Sequence, residues 1–145
     1  YRPMNEIIFH LAFPVTDISQ TKAFYADGLG CRVGRETPKS VILDLAGNQL
    51  VAHVVHQMPP AQRGIYPRHF GLVFRHEVEW ERLLARAQST ELSFYQQPKR
   101  RFRGSPLEHR TFFLADPFED LLEIKFYCYE SAIFGEAQLA EVGDA

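Results

Sequence analysis

The sequence predicts an α+β fold made of two copies of one strand–helix–three-strand unit, a βαβββ module. Three observations carry that expectation. Ile7 to Val15 alternates Ile7, Phe9, Leu11 and Phe13 with Ile8, His10 and Ala12, the pattern of a strand with one apolar face and an imidazole on the other. Arg68 to Phe74 repeats the design, with Phe70, Leu72 and Phe74 on one face and His69 on the other. Each of these strands leads into a stretch of helical spacing and then into three short strand candidates. Two copies of such a half-barrel make one shared cleft between them.

Taken in order, the first strand is followed by Thr16 to Tyr25, where Thr16 or Asp17 caps a helix and Ile18, Thr21, Phe24 and Tyr25 recur at helical spacing. Gly28-Leu29-Gly30 ends it. Strands are expected over 31–36, 40–45 and 49–55, the last two joined by an Ala46-Gly47-Asn48 turn. Met58 to Gly64 is a linker by composition. In the second half a helix is expected over 77–88, with Val78, Leu83, Leu84 and Ala87 as its apolar face and Trp80 and Glu81 nearby. Strands follow over 92–96, 111–115 and 121–127, separated by a basic loop over 98–110 and an Asp116-Pro117 turn. Residues 1–130 therefore form a single domain: module one about 6–57, a linker 58–67, and module two about 68–128. The tail 131–145 is small and acidic, either a short helix or disordered.

Composition narrows the function classes. A chain of 145 residues with net charge −2 buries an ordinary core, and its charge points to neither nucleic acid nor membrane. No apolar run is long enough to span a bilayer, and the N-terminus lacks the charged and apolar regions of a signal peptide. The chain opens at Tyr1, which leaves a native leader open. Cys31 and Cys128 show no CxxC spacing, as expected of a reduced, cytoplasmic protein with two incidental thiols.

The chemistry-bearing residues share a parity. Leu122, Ile124 and Phe126 form the apolar face of the last strand, which puts Glu123 on the opposite face beside Leu121 and Lys125. Two imidazoles and one carboxylate, each on the non-core side of a strand, are the ligand set of a facial metal triad with open positions. Iron(II) suits it, and zinc also accepts His, His and Glu with water. For His10 alone, a hydrogen-bonded structural histidine is the competing reading. The loop over 98–110 carries five cations and one acid, leaving eleven basic against seventeen acidic residues elsewhere, net −6. Such a loop either closes over the cleft, with arginines gripping an anionic substrate, or is a solvated surface.

Phe9-His10 with Asp17, Phe24-Tyr25 and Leu29-Gly30-Cys31, then His69-Phe70-Gly71, then Asp116-Pro117 before Leu122-Glu123-Ile124-Lys125, together resemble the vicinal oxygen chelate superfamily over about residues 6 to 128. That group contains glyoxalase I, extradiol ring-cleaving dioxygenases and bleomycin-resistance proteins. Phe9 to Val15, Gln49 to His53 and the Arg101-Phe102-Arg103-Gly104 loop look closest to small single-domain, extradiol-dioxygenase-like members. The resemblance implies an open, incomplete mixed β-barrel around a metal cleft, with His10, His69 and Glu123 at the metal positions. The metal implied is Fe(II), with Zn, Mn or Ni as alternatives. Two departures stand out. Asp116-Pro117 is followed by Phe118-Glu119-Asp120 where members usually have Gly-Asn. The strand over 49–55 also lacks the glutamate that glyoxalase I uses as a fourth ligand.

The function expected is a ring-cleaving dioxygenase acting on a small aromatic vicinal diol, neutral or anionic. His53 would move protons, Tyr127 and His109 would hydrogen-bond the intermediate, and Arg101, Arg103 and Arg110 would hold substrate. A glyoxalase-like isomerase or lyase, and a non-catalytic protein that sequesters a small molecule, are the alternatives. No nucleic acid or membrane partner is expected. A homodimer is open, because modules of this superfamily can pair across subunits.

Overall fold

The computed structural model describes residues 7–142. Module one contains β1 (His10–Val15), α1 (Ile18–Lys22), β2 (Arg32–Thr37), β3 (Ser40–Leu45) and β4 (Asn48–Val54). Module two contains β5 (Phe70–Phe74), α2 (Glu77–Ser89), β6 (Phe94–Arg101), β7 (His109–Ala115) and β8 (Leu121–Tyr127), and a last turn α3 (Ser131–Phe134) follows. Each module folds its strands into one four-stranded mixed sheet, in the orders β1-β4-β3-β2 and β5-β8-β7-β6. The first strand of each sheet pairs parallel with the last, and the remaining pairs are antiparallel. Neither sheet closes into a barrel, as the α+β expectation of open modules requires.

Asp17 caps α1, its side chain accepting from the Gln20 N–H at 2.7 Å. The helix then widens into a π-helical stretch, Ala23–Gly28, that buries Phe24 and Tyr25. In α2 the apolar anchor is Trp80, fully buried, with its indole N–H donating to the Ile124 carbonyl at 2.8 Å. Val78, expected on that face, is exposed. One apolar core runs through both modules: Phe13, Val15, Tyr25, Leu43 and Leu50 from the first join Trp80, Phe112, Leu114, Leu122 and Ile124 from the second. Burying each such large side chain contributes about 1.5–3 kcal/mol. Polar contacts tie the same seam. The Tyr25 hydroxyl donates to Asp116 Oδ2 at 2.8 Å, and the Arg86 guanidinium donates to the Gly28 and Asp27 carbonyls.

The sequence reading needs correction in two places. The regular first strand begins at His10, and Ile7 and Phe9 are exposed rather than part of the core face. The basic segment is nearly half strand: β6 runs on through Arg101 and β7 starts at His109, leaving 102–108 as loop. The tail makes one helical turn, with Phe134 exposed. Among the described residues, no helix is long and apolar enough to cross a membrane.

Candidate metal and substrate site

Strand pairing dictates what the second sheet presents. The register Gly71↔Glu123 and Phe113↔Glu123 sets the Glu123 carboxylate on the face away from Trp80, between β5 and β7. His69 sits one residue before β5, on the same side. Its Nε2 lies 3.1 Å from Glu123 Oε1, and its Nδ1 lies 2.7 Å from the carbonyl oxygen of Ile65. A carbonyl only accepts, so Nδ1 carries the proton, and in the neutral ring Nε2 points a lone pair at the carboxylate. Two acceptors at 3.1 Å need a positive centre: a second proton on the ring, or a cation. Metal bonds of about 2.0–2.2 Å to nitrogen and oxygen leave ligand atoms roughly 3 Å apart, so this imidazole–carboxylate pair fits a shared divalent ion. The other carboxylate oxygen is held in place, accepting from the Thr111 hydroxyl at 2.6 Å and facing Lys125 Nζ at 3.3 Å. This is the outer-shell orientation that metal-binding carboxylates use.

His10 is on the other sheet. Its Nδ1 meets the Gln49 side-chain oxygen at 2.8 Å, and the ring is exposed. Among the described residues no three His, Cys, Asp or Glu side chains converge, so one chain brings together His69 and Glu123 but not His10. The internal repeat explains the division. His10 matches His69, and the registers Ala12↔Val51 and Gly71↔Glu123 then make Val51 the counterpart of Glu123 and His53 the counterpart of Lys125. Module one thus has its matching imidazole, and valine at the position of the carboxylate. His53 is exposed on the same face as His10 and makes no hydrogen bond to a described residue.

Around His69 and Glu123 lies a hollow of about 160 Å³ lined by Ile65, Lys99, Arg101, His109, Thr111 and Lys125 among others. His109 is buried, with Nδ1 against the Leu107 carbonyl at 2.9 Å, which leaves Nε2 as an acceptor. Burial holds its pKa below the ordinary histidine value, so the ring stays neutral near pH 7. It packs against Tyr127, whose hydroxyl is 3.4 Å from Lys125 Nζ. Of the three predicted substrate arginines, only Arg101 lines this hollow. Arg103 is exposed on the loop. Arg110 lies on the opposite face, 3.0 Å from Glu77 and 4.2 Å from the Trp80 ring centroid, because it follows His109 by one residue and strand parity turns it toward α2.

A larger hollow of about 420 Å³ lies along β1, the linker and the turn after β7, with Leu11, Phe13, Met58 and Phe118 in its apolar wall. His69 borders both hollows, but Glu123 borders only the smaller one. Sequence reasoning overlooked Thr111, Lys99 and Lys125. Lys125 was the most accessible of these, since it shares Glu123's strand and parity.

Two βαβββ modules, each folded into an open four-stranded mixed sheet, define the class of fold. The profile of the Glyoxalase/Bleomycin resistance protein/Dioxygenase superfamily matches residues 7–124, and the chain belongs to that superfamily, the vicinal oxygen chelate group. The crystal structure of a glyoxalase/bleomycin resistance protein/dioxygenase from Alicyclobacillus acidocaldarius is 38% identical, covers 92% of this chain and 100% of its own, and superposes with a TM-score of 0.84. The genomically encoded fosfomycin resistance protein of Listeria monocytogenes shares the fold at 16% identity, with 89% and 99% of the two chains covered and a TM-score of 0.68. A glyoxalase/bleomycin resistance protein/dioxygenase from Nocardioides shares it at 18% identity, 90% and 86% coverage and a TM-score of 0.64. A comparison with the curated proteins gives no match. The superfamily includes many enzymes, and its members commonly use divalent metals.

Proposed function

We propose that this chain is a divalent-metal enzyme whose metal, Fe(II) as the first choice, is held by His69 and Glu123 of one copy and His10 of a second copy. The reaction we assign is dioxygen-dependent cleavage of the ring of a small aromatic vicinal diol. The observation that carries this reading is the pair of acceptors, His69 Nε2 and Glu123 Oε1, that face each other at 3.1 Å with their other atoms already bound. Support for the second copy comes from the exposed His10, Ala12 and His53 on one face of the first sheet, and from Val51 standing where the second sheet has Glu123. A bound divalent ion supplies Lewis-acid binding for two adjacent substrate oxygens and, as Fe(II), electrons to dioxygen.

The protein's own groups do the rest. Neutral His109 accepts a proton from a substrate hydroxyl at Nε2. Tyr127 donates a hydrogen bond beside it, and His53 of the second copy serves the opposite wall. Both atoms of dioxygen enter the product as the ring bond breaks, so no further reductant is consumed.

The test is metal analysis of anaerobically purified protein, with oxygen uptake on catechol. About one metal per chain, lost in His69→Ala and Glu123→Gln, supports the site, and oxygen uptake supports the dioxygenase. Metal-dependent turnover without oxygen transfers the assignment to an isomerase or lyase. Tight ligand binding by metal-free protein, unchanged in His10→Ala, transfers it to sequestration.

A further inference from the structure

We infer that Gln62, in the linker between the modules, is a positioning residue: its side-chain amide closes the loop from 62 to 68, so that the Ile65 carbonyl holds the proton of His69 at Nδ1 and leaves Nε2 aimed at Glu123. This rests on the proposed function only in taking His69 as a metal ligand.

The Gln62 amide spends its donors and its acceptor on one short segment. Nε2 donates to the Gly64 carbonyl at 2.7 Å and to the Arg68 carbonyl, and Oε1 accepts from the Arg68 N–H at 3.2 Å. A carbonyl only accepts and a backbone N–H only donates, so these partners also settle which way round the amide lies. Each bond immobilises a peptide plane. The Gly64 carbonyl belongs to the peptide that precedes Ile65, and the Arg68 carbonyl to the peptide that precedes His69. The two residues joined by the bond from His69 Nδ1 to the Ile65 carbonyl, 2.7 Å long, are therefore both held by one side chain.

Apolar packing does not supply this direction. The Ile65 side chain is buried with Phe113 and Leu121, and the His69 ring meets Phe113 edge-on with ring centroids 5.0 Å apart. Those contacts fix where the side chains sit, but burial is non-directional and leaves the Ile65 carbonyl free to swing. With the carbonyl turned away, the neutral imidazole is free to carry its proton at Nε2 instead, where Glu123 Oε1 lies 3.1 Å off to accept it. That tautomer closes the position a cation needs. Partners of this kind behind a ligating histidine typically govern metal affinity by about ten- to a hundredfold.

The test uses Gln62→Met, which keeps the length of the side chain and removes its hydrogen bonds, and follows two readouts. One is the Nδ1–H resonance of His69 in metal-free protein, assigned by its absence in His69→Ala. The other is zinc affinity, by competition with a chromogenic chelator. Wild type should show an Nδ1–H protected from exchange with water, and Gln62→Met should lose that protection and bind zinc about tenfold or more weakly. Gln62→Asn, one carbon shorter, should weaken zinc binding by a smaller factor, and it serves as the test should Gln62→Met not fold. Arg63→Ala, at an exposed position of the same loop, should change neither readout. A folded Gln62 variant that keeps both the protected Nδ1–H and the wild-type zinc affinity overturns the inference, as does an equal loss in Arg63→Ala. Failure of the metal reading looks different: His69→Ala would leave zinc affinity unchanged, while the Nδ1–H of His69 would still respond to Gln62→Met.

Discussion

Asp120 is the residue whose environment makes the sharpest demand. Burial, the neighbouring Asp116 charge and a hydrogen bond to Asp116 push its pKa up to about 7, and Asp116 is also raised by burial while accepting from the Tyr25 hydroxyl and two backbone N–H groups. In the unfolded chain an aspartate ionises near pH 3.9. Between about pH 4 and pH 7 the folded protein therefore holds a proton that the unfolded chain has released, and stability falls as pH rises through that window. Asp120→Asn should flatten this slope and raise stability at pH 8 relative to wild type, as read by urea unfolding at pH 5 and pH 8. Tyr25→Phe should cost about 1–3 kcal/mol at either pH, because it strips a buried acceptor of its donor. From sequence, Asp116-Pro117 was legible as a turn. The pairing with Tyr25, 91 positions away, was not, since nothing local marks which tyrosine reaches across.

At the level of elements, the parallel pairing of β5 with β8 does the positioning. Gly71 sits opposite Glu123, and a Cβ at position 71 would overlap the Glu123 backbone carbonyl, so the two strands lie together only because position 71 has no side chain. Gly71→Ala should cost about 3 kcal/mol or more, visible as a fall in Tm, and should lower metal content as Glu123 moves from His69. Arg110→Ala is the contrasting case. It should cost about 1 kcal/mol through lost packing on Trp80 and lost pairing with Glu77, and leave metal content unchanged. Strand parity made the Glu123 face readable in advance. It failed for Arg110 because that segment was taken as loop, where parity has no meaning, whereas β7 begins at His109 and takes Arg110 in.

At the scale of the whole molecule, the repeat of two modules was legible because each begins with the same strand-and-histidine pattern. The proposed pairing between copies was not legible, because it would be decided by surfaces that alternation alone does not rank. The proposed sharing of ligands between copies can be measured directly. In a symmetric dimer formed by unfolding and refolding an equal mixture of His10→Ala and His69→Ala chains, the mixed dimers regain one intact site. The mixture should recover about a quarter of wild-type metal content where each variant alone has lost it. No recovery would overturn the sharing of ligands between copies. The single core running from Leu43 to Ile124 bears on this experiment. Because both modules are packed into one interior, a chain cannot swing its own first sheet over its second without breaking that interior open. Assembly then becomes a matter of rigid docking rather than of folding, so the rate at which sites form should depend on protein concentration while the rate at which each chain folds should not.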